Sequence, residues 1–452
     1  MKGEDFRILL ALEPSWTVSI NGKEFLTLPS REIHLEDSVL RFSRFTRKVV
    51  DITALKTNVV RVRAKPRLRS QTDVLVFYAG ERLPDAAELR RRRTAFQWTL
   101  AGVLSRHFGR RITRQTLYSD KRHGIGGAYP RFLIGRSDAV IAVDPDEAAP
   151  VINGIMRAAI QWAQTVKRRI CVVIPAERCQ TILTRLQAIP VLLRCFEWLT
   201  WDGECLSPLP ENPEAPETFV HPYIRPNVDR EVERILALAP DLLQAIPQIA
   251  GPAVSIRLRG LEIARVRESG TAYPLGERLE SVIAQLSAQR CHGSGHPLAN
   301  AHQESWLESN LIWKIQEVLP VRPEFIYPQV PSFGVGERKI IDLLTVTMNG
   351  RLVVIEVKAA PDPDLPFQAF DYWMAVERHR KAGDFVANGY FRDMEILDEP
   401  ALLVLVAPLL SFHRSLNRLV AMLPESVPLL QIGVSQSWKK GIKVLRRSGP
   451  LG

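Results

Sequence analysis

Long apolar runs are missing from this sequence. No stretch approaches the about 18 uninterrupted apolar residues that cross a bilayer, so no membrane-spanning helix is predicted. The N-terminal MKGEDFRILLALEPSW carries only a short apolar run and no small-residue cleavage site, which predicts no signal peptide. Cysteine is scarce: the five present, Cys171, Cys179, Cys195, Cys205 and Cys291, are odd in number and never form a C-x-x-C pair. That argues against a disulfide framework and a structural zinc site, and it suits a reducing, cytoplasmic setting. His107, His123, His292, His296 and His379 have no ligand-like spacing and read as surface or loop histidines. The GIGG at 124–127 lacks the strand–turn–helix setting and the lysine of a phosphate-binding loop and reads as a turn.

Acid is nearly absent between Arg90 and Arg136. The whole chain has 60 Lys and Arg against 49 Asp and Glu, a net charge of +11, which alone fits many solvated basic surfaces. Within this stretch, however, Asp120 is the single acid. One-signed charge of that density predicts a phosphate-rich ligand, nucleic acid first. Arg90, Arg91, Arg92, Arg93, Arg110, Arg111, Arg114, Lys121 and Arg122 are the candidate contacts.

At 452 residues the chain exceeds one hydrophobic core. Alternating runs such as VVRVRAK (59–65) and DVLVFYA (73–79) predict a β-rich unit over 1–84. The basic segment falls in a second unit, 85–207. The Pro-rich SPLPENPEAPETFVHPYIRP (207–226) reads as a linker opening a small unit over 208–300. That unit is expected to hold a helix around 231–243 and a hairpin, AVSIRLRGLEIARV (253–266), turning near Gly260. Its Arg257, Arg259, Arg265 and Arg267 fit a duplex-lining face and a solvated face equally well. The C-terminal domain is drawn at 301–452.

In that last domain, QESWLESNLIWKIQEVL (303–319) has helical periodicity, with Leu307, Leu311, Ile315 and Leu319 on one stripe. Glu304 and Glu308 share another face. KIIDLLTVTMNGRLVVIEVKAA (339–360) follows, and its Asn349-Gly350 predicts a type I′ hairpin turn. Asp342 and Glu356 should then face each other across two antiparallel strands. Glu356 and Lys358 alternate onto one face of an apolar strand. An isolated E-x-K fits a structural ion pair, because buried charges need partners. Three carboxylates and a lysine converging on one spot fit a hard-cation site, since Mg²⁺ prefers oxygen ligands and keeps waters. They also fit phosphodiester hydrolysis, with the metal activating a water and the lysine orienting or deprotonating it.

The order acidic helix, D, hairpin, E-x-K, helix resembles the PD-(D/E)xK nuclease superfamily, especially the RecB-like nucleases and the C-terminal domain of NucS-type endonucleases. Glu304, Leu307, Glu308 and Leu311 match the E-x-x-L-E-x-x-L of the latter, and Ile341-Asp342-Leu343-Leu344 match its I/V-D-L-L strand. Gln368 and Tyr372 match the Q-x-x-x-Y of RecB-like nucleases. The resemblance spans 303 to 380. It implies an α/β fold with a restriction-endonuclease-like αβββαβ core. It further implies Mg²⁺ (or Mn²⁺) on Asp342 and Glu356, with Glu308 as a further metal or water ligand. Lys358 would serve the water, and Gln368 and Tyr372 would shape the site.

Segment 96–205 reads as a diverged copy of the same domain. FQWTLAGVLSRHF (96–108) aligns with ESWLESNLIWKIQ (304–316), and DAVIAVDP (138–145) with LVVIEVKA (352–359). In this alignment Phe96, Leu100, Leu133, Ala142 and Asp144 replace Glu304, Glu308, Asp342, Glu356 and Lys358. Such a pseudonuclease would bind without cutting, and apolar side chains should fill its dead pocket. The reading is thus a cytoplasmic, metal-dependent DNA endonuclease of repair, restriction or mobile-element defence. A homodimer fits duplex cutting by analogy. Two rivals stand beside it: an RNase or effector nuclease switched by a ligand in the N-terminal fold, and a nucleic-acid-binding protein with an unused site.

Overall fold

The computed structural model describes residues 1–22, 24–43, 45–56, 58–66, 72–80, 86–120, 122–210, 218–249, 251–332 and 339–449. These form a mixed α/β architecture of several sheets with helices packed on them. Alternation builds the first sheet: Val59–Lys65 buries Val60, Val62 and Ala64 and exposes Arg61, Arg63 and Lys65. Its seven antiparallel strands run, across the sheet, Glu24–Pro29, Ser15–Ile20, Asp73–Ala79, Val59–Lys65, Phe45–Lys56, Val39–Phe42 and His34–Glu36. Helix Gly3–Leu12 adds Phe6, Leu9 and Leu10 to the core of this sheet.

The segment after the Pro-rich stretch forms a four-stranded antiparallel sheet, Leu243–Gln248, Ala253–Leu258, Leu261–Arg267 and Gly270–Ala272. The expected long helix is shorter, Asp229–Leu236, and Leu243 already begins a strand. Pro240 lies between and cannot continue a helix. The hairpin turns at Arg259 and Gly260, both with positive φ (47° and 84°), as a type I′ turn requires. Val232, Ile235, Ile256, Ile263 and Leu286 share one core with Val62, Phe77 and Phe6, so this unit and the N-terminal sheet are packed together.

The two remaining sheets follow one plan. The first comprises, in chain order, Ile112–Thr116, Arg131–Ile134, Asp138–Ala142, Arg169–Pro175, Glu197–Trp201 and Leu206–Pro208. The second comprises Tyr327–Ser332, Lys339–Val346, Leu352–Val357, Leu402–Pro408, Leu429–Val434 and Val444–Ser448. In both, strands neighbour each other in chain order, and the successive pairings are antiparallel, antiparallel, parallel, parallel and antiparallel. A helix precedes each sheet (Ala86–Phe108; Gln303–Trp313), and another crosses between its third and fourth strands (Ile155–Ala163; Leu365–Ala382). The central strands are covered on both faces and therefore read as unbroken apolar runs, as in LVVIEV and LLVLVAP.

The lobes pack through the faces that carry the crossover helices. Ile141, Trp162 and Val172 of one lobe share a core with Leu344, Val354, Phe367 and Phe370 of the other. Charge pairs cross the seam: Arg157 donates to Asp364 at 2.8 Å, and Arg185 grips Asp371 with two bonds of 2.8 and 2.9 Å. Both guanidiniums are buried.

The connection from Lys339–Val346 to Leu352–Val357 departs from the expected two-residue turn. Residues 347–351 make it, and of Asn349 and Gly350 only the glycine has positive φ (98°). A Cβ on Gly350 would lie 2.4 Å from the carbonyl oxygen of Glu395. The register is nonetheless the expected one: Leu343 pairs with Ile355, and the next step brings Asp342 opposite Glu356.

Candidate active site

Three elements bring the acids together. Asp342 and Glu356 sit on adjacent strands, and Glu308 is on the helix Gln303–Trp313. The Val357 N–H donates to Asp342 Oδ2 at 2.7 Å, which ties one acid to the strand of the other. Their carboxyl groups are close enough to share a hydrogen bond. Lys358 Nζ lies 3.1 Å from Glu356 Oε1 and 3.7 Å from Glu304 Oε2. Glu304 is exposed, whereas Glu308, Glu356 and Lys358 are buried. Gln368 donates to the Tyr372 hydroxyl at 3.1 Å on the crossover helix, and Tyr372 feels the charges of Glu356 and Asp342. Glu308, Asp342, Glu356, Lys358, Gln368 and Tyr372, all expected from the sequence, thus form one spatial cluster.

Burial dominates its electrostatics. It pushes Asp342 up to about 6, against the pull of Lys358 and the Val357 N–H. Burial takes Glu308 up to about 8, opposed by Arg257 and reinforced by Asp342. Glu356 is raised by burial and by Asp342 beside it. Burial alone would lower Lys358, but Glu356, Glu304 and Asp342 outweigh it and raise the lysine. Two adjacent acids disfavour each other's ionisation, and Lys358 can balance only one of the two charges.

A divalent metal fits part of this donor set. Glu356 Oε2 is buried without a hydrogen-bond partner, an expensive state for a carboxylate oxygen. Among the described residues no group of three or more His, Cys, Asp or Glu is arranged as a metal cage. Magnesium, however, is commonly held by one or two carboxylates while it keeps several waters. Asp342 and Glu356 meet that need. Glu308 is already engaged: Gln329 donates to its Oε2 at 2.7 Å, and Arg257 Nη1 lies 3.5 Å from its Oε1.

Gln329 and Arg257 join the site without a sequence signal. Gln329 adopts a left-handed φ of 55° within the strand Tyr327–Ser332, beside Asp342, a backbone conformation uncommon for a non-glycine residue. Arg257, expected on a duplex-lining or solvated face, is packed against Glu308. Arg259 stacks over Trp306 and donates to the Arg290 carbonyl, and Arg265 pairs with Glu262 at 2.6 Å. The hairpin tip is pressed onto the acidic helix, where a Cβ on Gly260 would lie 2.4 Å from the Ser305 backbone. His379, expected at the surface, is buried and lies 2.7 Å from Asp384.

The basic residues separate into distinct groups. Arg90, Arg91, Arg111, Arg114 and Arg122 are exposed, and Lys121 lies outside the described residues. Arg93 is committed to Glu147 by bonds of 2.6 and 2.9 Å, and Arg92 lies 3.1 Å from Glu147 and 3.5 Å from Asp144. Arg110 pairs with Asp138 at 2.9 Å. The acids that neutralise this segment lie downstream, at 138–147, where a count of charge along the basic stretch does not reach.

The residue correspondences between lobes need correction. Leu352 and Val354, on the face of Glu356, belong to the core between the lobes, whereas Val140 and Ala142 face the opposite side and Ala139, Ile141 and Val143 the seam. Aligning Ala142 with Glu356 is therefore a one-residue slip, which inverts every side chain. Leu133 pairs with Ala139 rather than Ala142. On the seam face, Ala139, Ile141 and Val143 carry no carboxylate, nor do Leu133 and Arg131 opposite. Ile141 and Val143, which take the places of Glu356 and Lys358, are buried in the apolar core as expected, while a groove of about 670 Å³ opens beside Leu133 and Arg131.

No family model, curated protein or solved structure matches this chain. Among the described residues no helix is long and apolar enough to cross a membrane.

Proposed function

We propose that the C-terminal lobe is a metal-dependent nuclease of the PD-(D/E)xK kind, with a restriction-endonuclease-like core, that hydrolyses DNA phosphodiester bonds. One observation carries this reading: two adjacent acids, half-buried Asp342 and buried Glu356, stand beside a buried lysine, and one Glu356 carboxylate oxygen lacks a partner. Asp342 and Glu356 would hold Mg²⁺ or Mn²⁺, which when bound polarises the phosphate and makes water a better nucleophile. Lys358 holds its proton firmly, so its role is to orient the water and the phosphate electrostatically. Gln368 and Tyr372 pack the floor beside Glu356. Glu308, held by Arg257 and Gln329, is tied to the strand next to the one carrying Asp342 and would become a further ligand once Arg257 releases it. The first lobe, which lacks the acids, holds nucleic acid through exposed arginines.

Asp342→Ala and Glu356→Ala should each abolish Mg²⁺-dependent cleavage of duplex, branched and single-stranded DNA. DNA binding should persist or tighten, since a negative charge near phosphate is removed. Near wild-type cleavage by either variant would sink the assignment. Cleavage of RNA in place of DNA would make the enzyme a ribonuclease. The engagement of Glu308 by Arg257 favours a second reading, a binding protein with a latched site; absence of cleavage on every substrate together with retained binding would establish it.

A further inference from the structure

The groove in the first lobe divides by chemistry. Leu133, Trp162 and Val166 give it an apolar floor, Thr116, Ser119 and Thr165 offer hydroxyls, and Arg114 and Arg131 bring positive charge. Arg131 is 6% exposed, and its Nε is buried without a hydrogen-bond partner. Arg131 also donates through Nη2 to the Tyr118 carbonyl. That bond anchors the backbone of Tyr118 while its ring stays 84% exposed at the rim.

The rim is built rather than slack. The His123 N–H donates to Asp120 Oδ1 at 3.1 Å, and His123 Nδ1 lies 2.8 Å from Asp120 Oδ2. Asp120 and Ile125 exchange backbone bonds of 2.8 and 3.0 Å. Asp120, an acid on the lining, is thereby tied to His123. Burial disfavours the charge of Arg131, Asp120 partly offsets this, and Arg114 lies near enough to disfavour it further. Two neighbouring guanidiniums, one with a dry unused N–H, favour an anion between them. An exposed aromatic ring on an anchored backbone favours a planar group stacked on it.

We infer that this groove binds a nucleoside phosphate, its phosphate on Arg131 and Arg114 and its base against Tyr118, with no metal and no cleavage. The volume lies within the range of small-ligand sites. The nucleotide belongs either to a free ligand or to a nucleic-acid strand; the recognition chemistry is the same. Such binding does not depend on cleavage by the other lobe.

The test uses the full chain in EDTA. Adenosine triphosphate is titrated by calorimetry, and a fluorescein-labelled oligothymidylate by anisotropy. At least one should bind in the micromolar range. Tyr118→Ala and Arg114→Glu, both at exposed positions, should each weaken that binding about tenfold or more with unchanged melting temperature. Arg131→Met should weaken it at least as much; the two exposed variants keep the test sound if this one fails to fold. ATP binding that competes with the oligonucleotide identifies a free nucleotide, and oligonucleotide binding without ATP binding identifies a strand. Binding of neither probe overturns the inference. So does unchanged affinity in both exposed variants, or displacement by inorganic phosphate at concentrations equal to ATP.

Discussion

The raised Asp342 and Glu308 should make the site sensitive to pH. Asp342 and Glu308 favour their protonated forms in the fold, at about 6 and about 8. The folded state therefore binds more protons than the unfolded chain between the ordinary carboxylate range and those values, and stability falls as pH rises through that window. Each tenfold preference of the fold for the protonated acid corresponds to about 1.4 kcal/mol at most. We expect the melting temperature in EDTA to decline from about pH 5 to pH 8, and Mg²⁺ to offset the decline most at the alkaline end. A flat EDTA profile would show that the fold does not raise these acids, and a Mg²⁺ effect equal at all pH values would remove Asp342 and Glu356 as the ligands. The arginine run divides just as sharply between exposed and committed residues. Arg90→Glu with Arg91→Glu should weaken DNA binding and flatten its salt dependence without loss of stability. Arg93→Glu should destabilise by roughly 3 kcal/mol or more, since it leaves Glu147 facing a like charge in a buried place. Salt titrations and thermal melts would separate the two outcomes.

At the scale of elements, the hairpin tip at Gly260 is the sharpest test. Gly260→Ala meets the Ser305 backbone and a positive φ together, so a loss on the order of 2 kcal/mol is expected, read as a lowered denaturation midpoint. An unchanged midpoint would mean that the tip lifts from the helix. The same elements show what the sequence could reveal. Alternation and apolar runs are enough to place Lys339–Val346, Leu352–Val357 and the facing of Asp342 and Glu356, because strand period is local. The turn between them is not legible, since Asn349-Gly350 states a preference and Glu395 sets the actual crowding. The slip at Ala142 arises because Asp138–Ala142 is buried on both faces and offers no alternation to fix register. Arg257 and Gln329 escape because their partner, Glu308, is distant in sequence or reached through an unusual φ.

At the scale of the molecule, two lobes of one topology face each other, and the candidate acids lie in only one. If the acids cut as proposed, one centre per chain should take supercoiled plasmid first to open circles, and linear DNA should appear only after a second nick. Gel analysis of early time points checks this; linear product from the first turnover would require two cutting centres acting together. Arg185→Ala should also cost about 3–5 kcal/mol, because it leaves Asp371 without its bidentate arginine at the seam. A calorimetric melt would measure it.

The Gly260 hairpin has a mechanical meaning as well. It belongs to a unit that shares its core with the N-terminal sheet, and its Arg257 ends on Glu308. The sheet of residues 15–79 is thus one arm of a lever whose short arm rests on the acidic helix. A partner that gripped and tilted that sheet would lift Arg257 from Glu308 while never coming near the acids themselves.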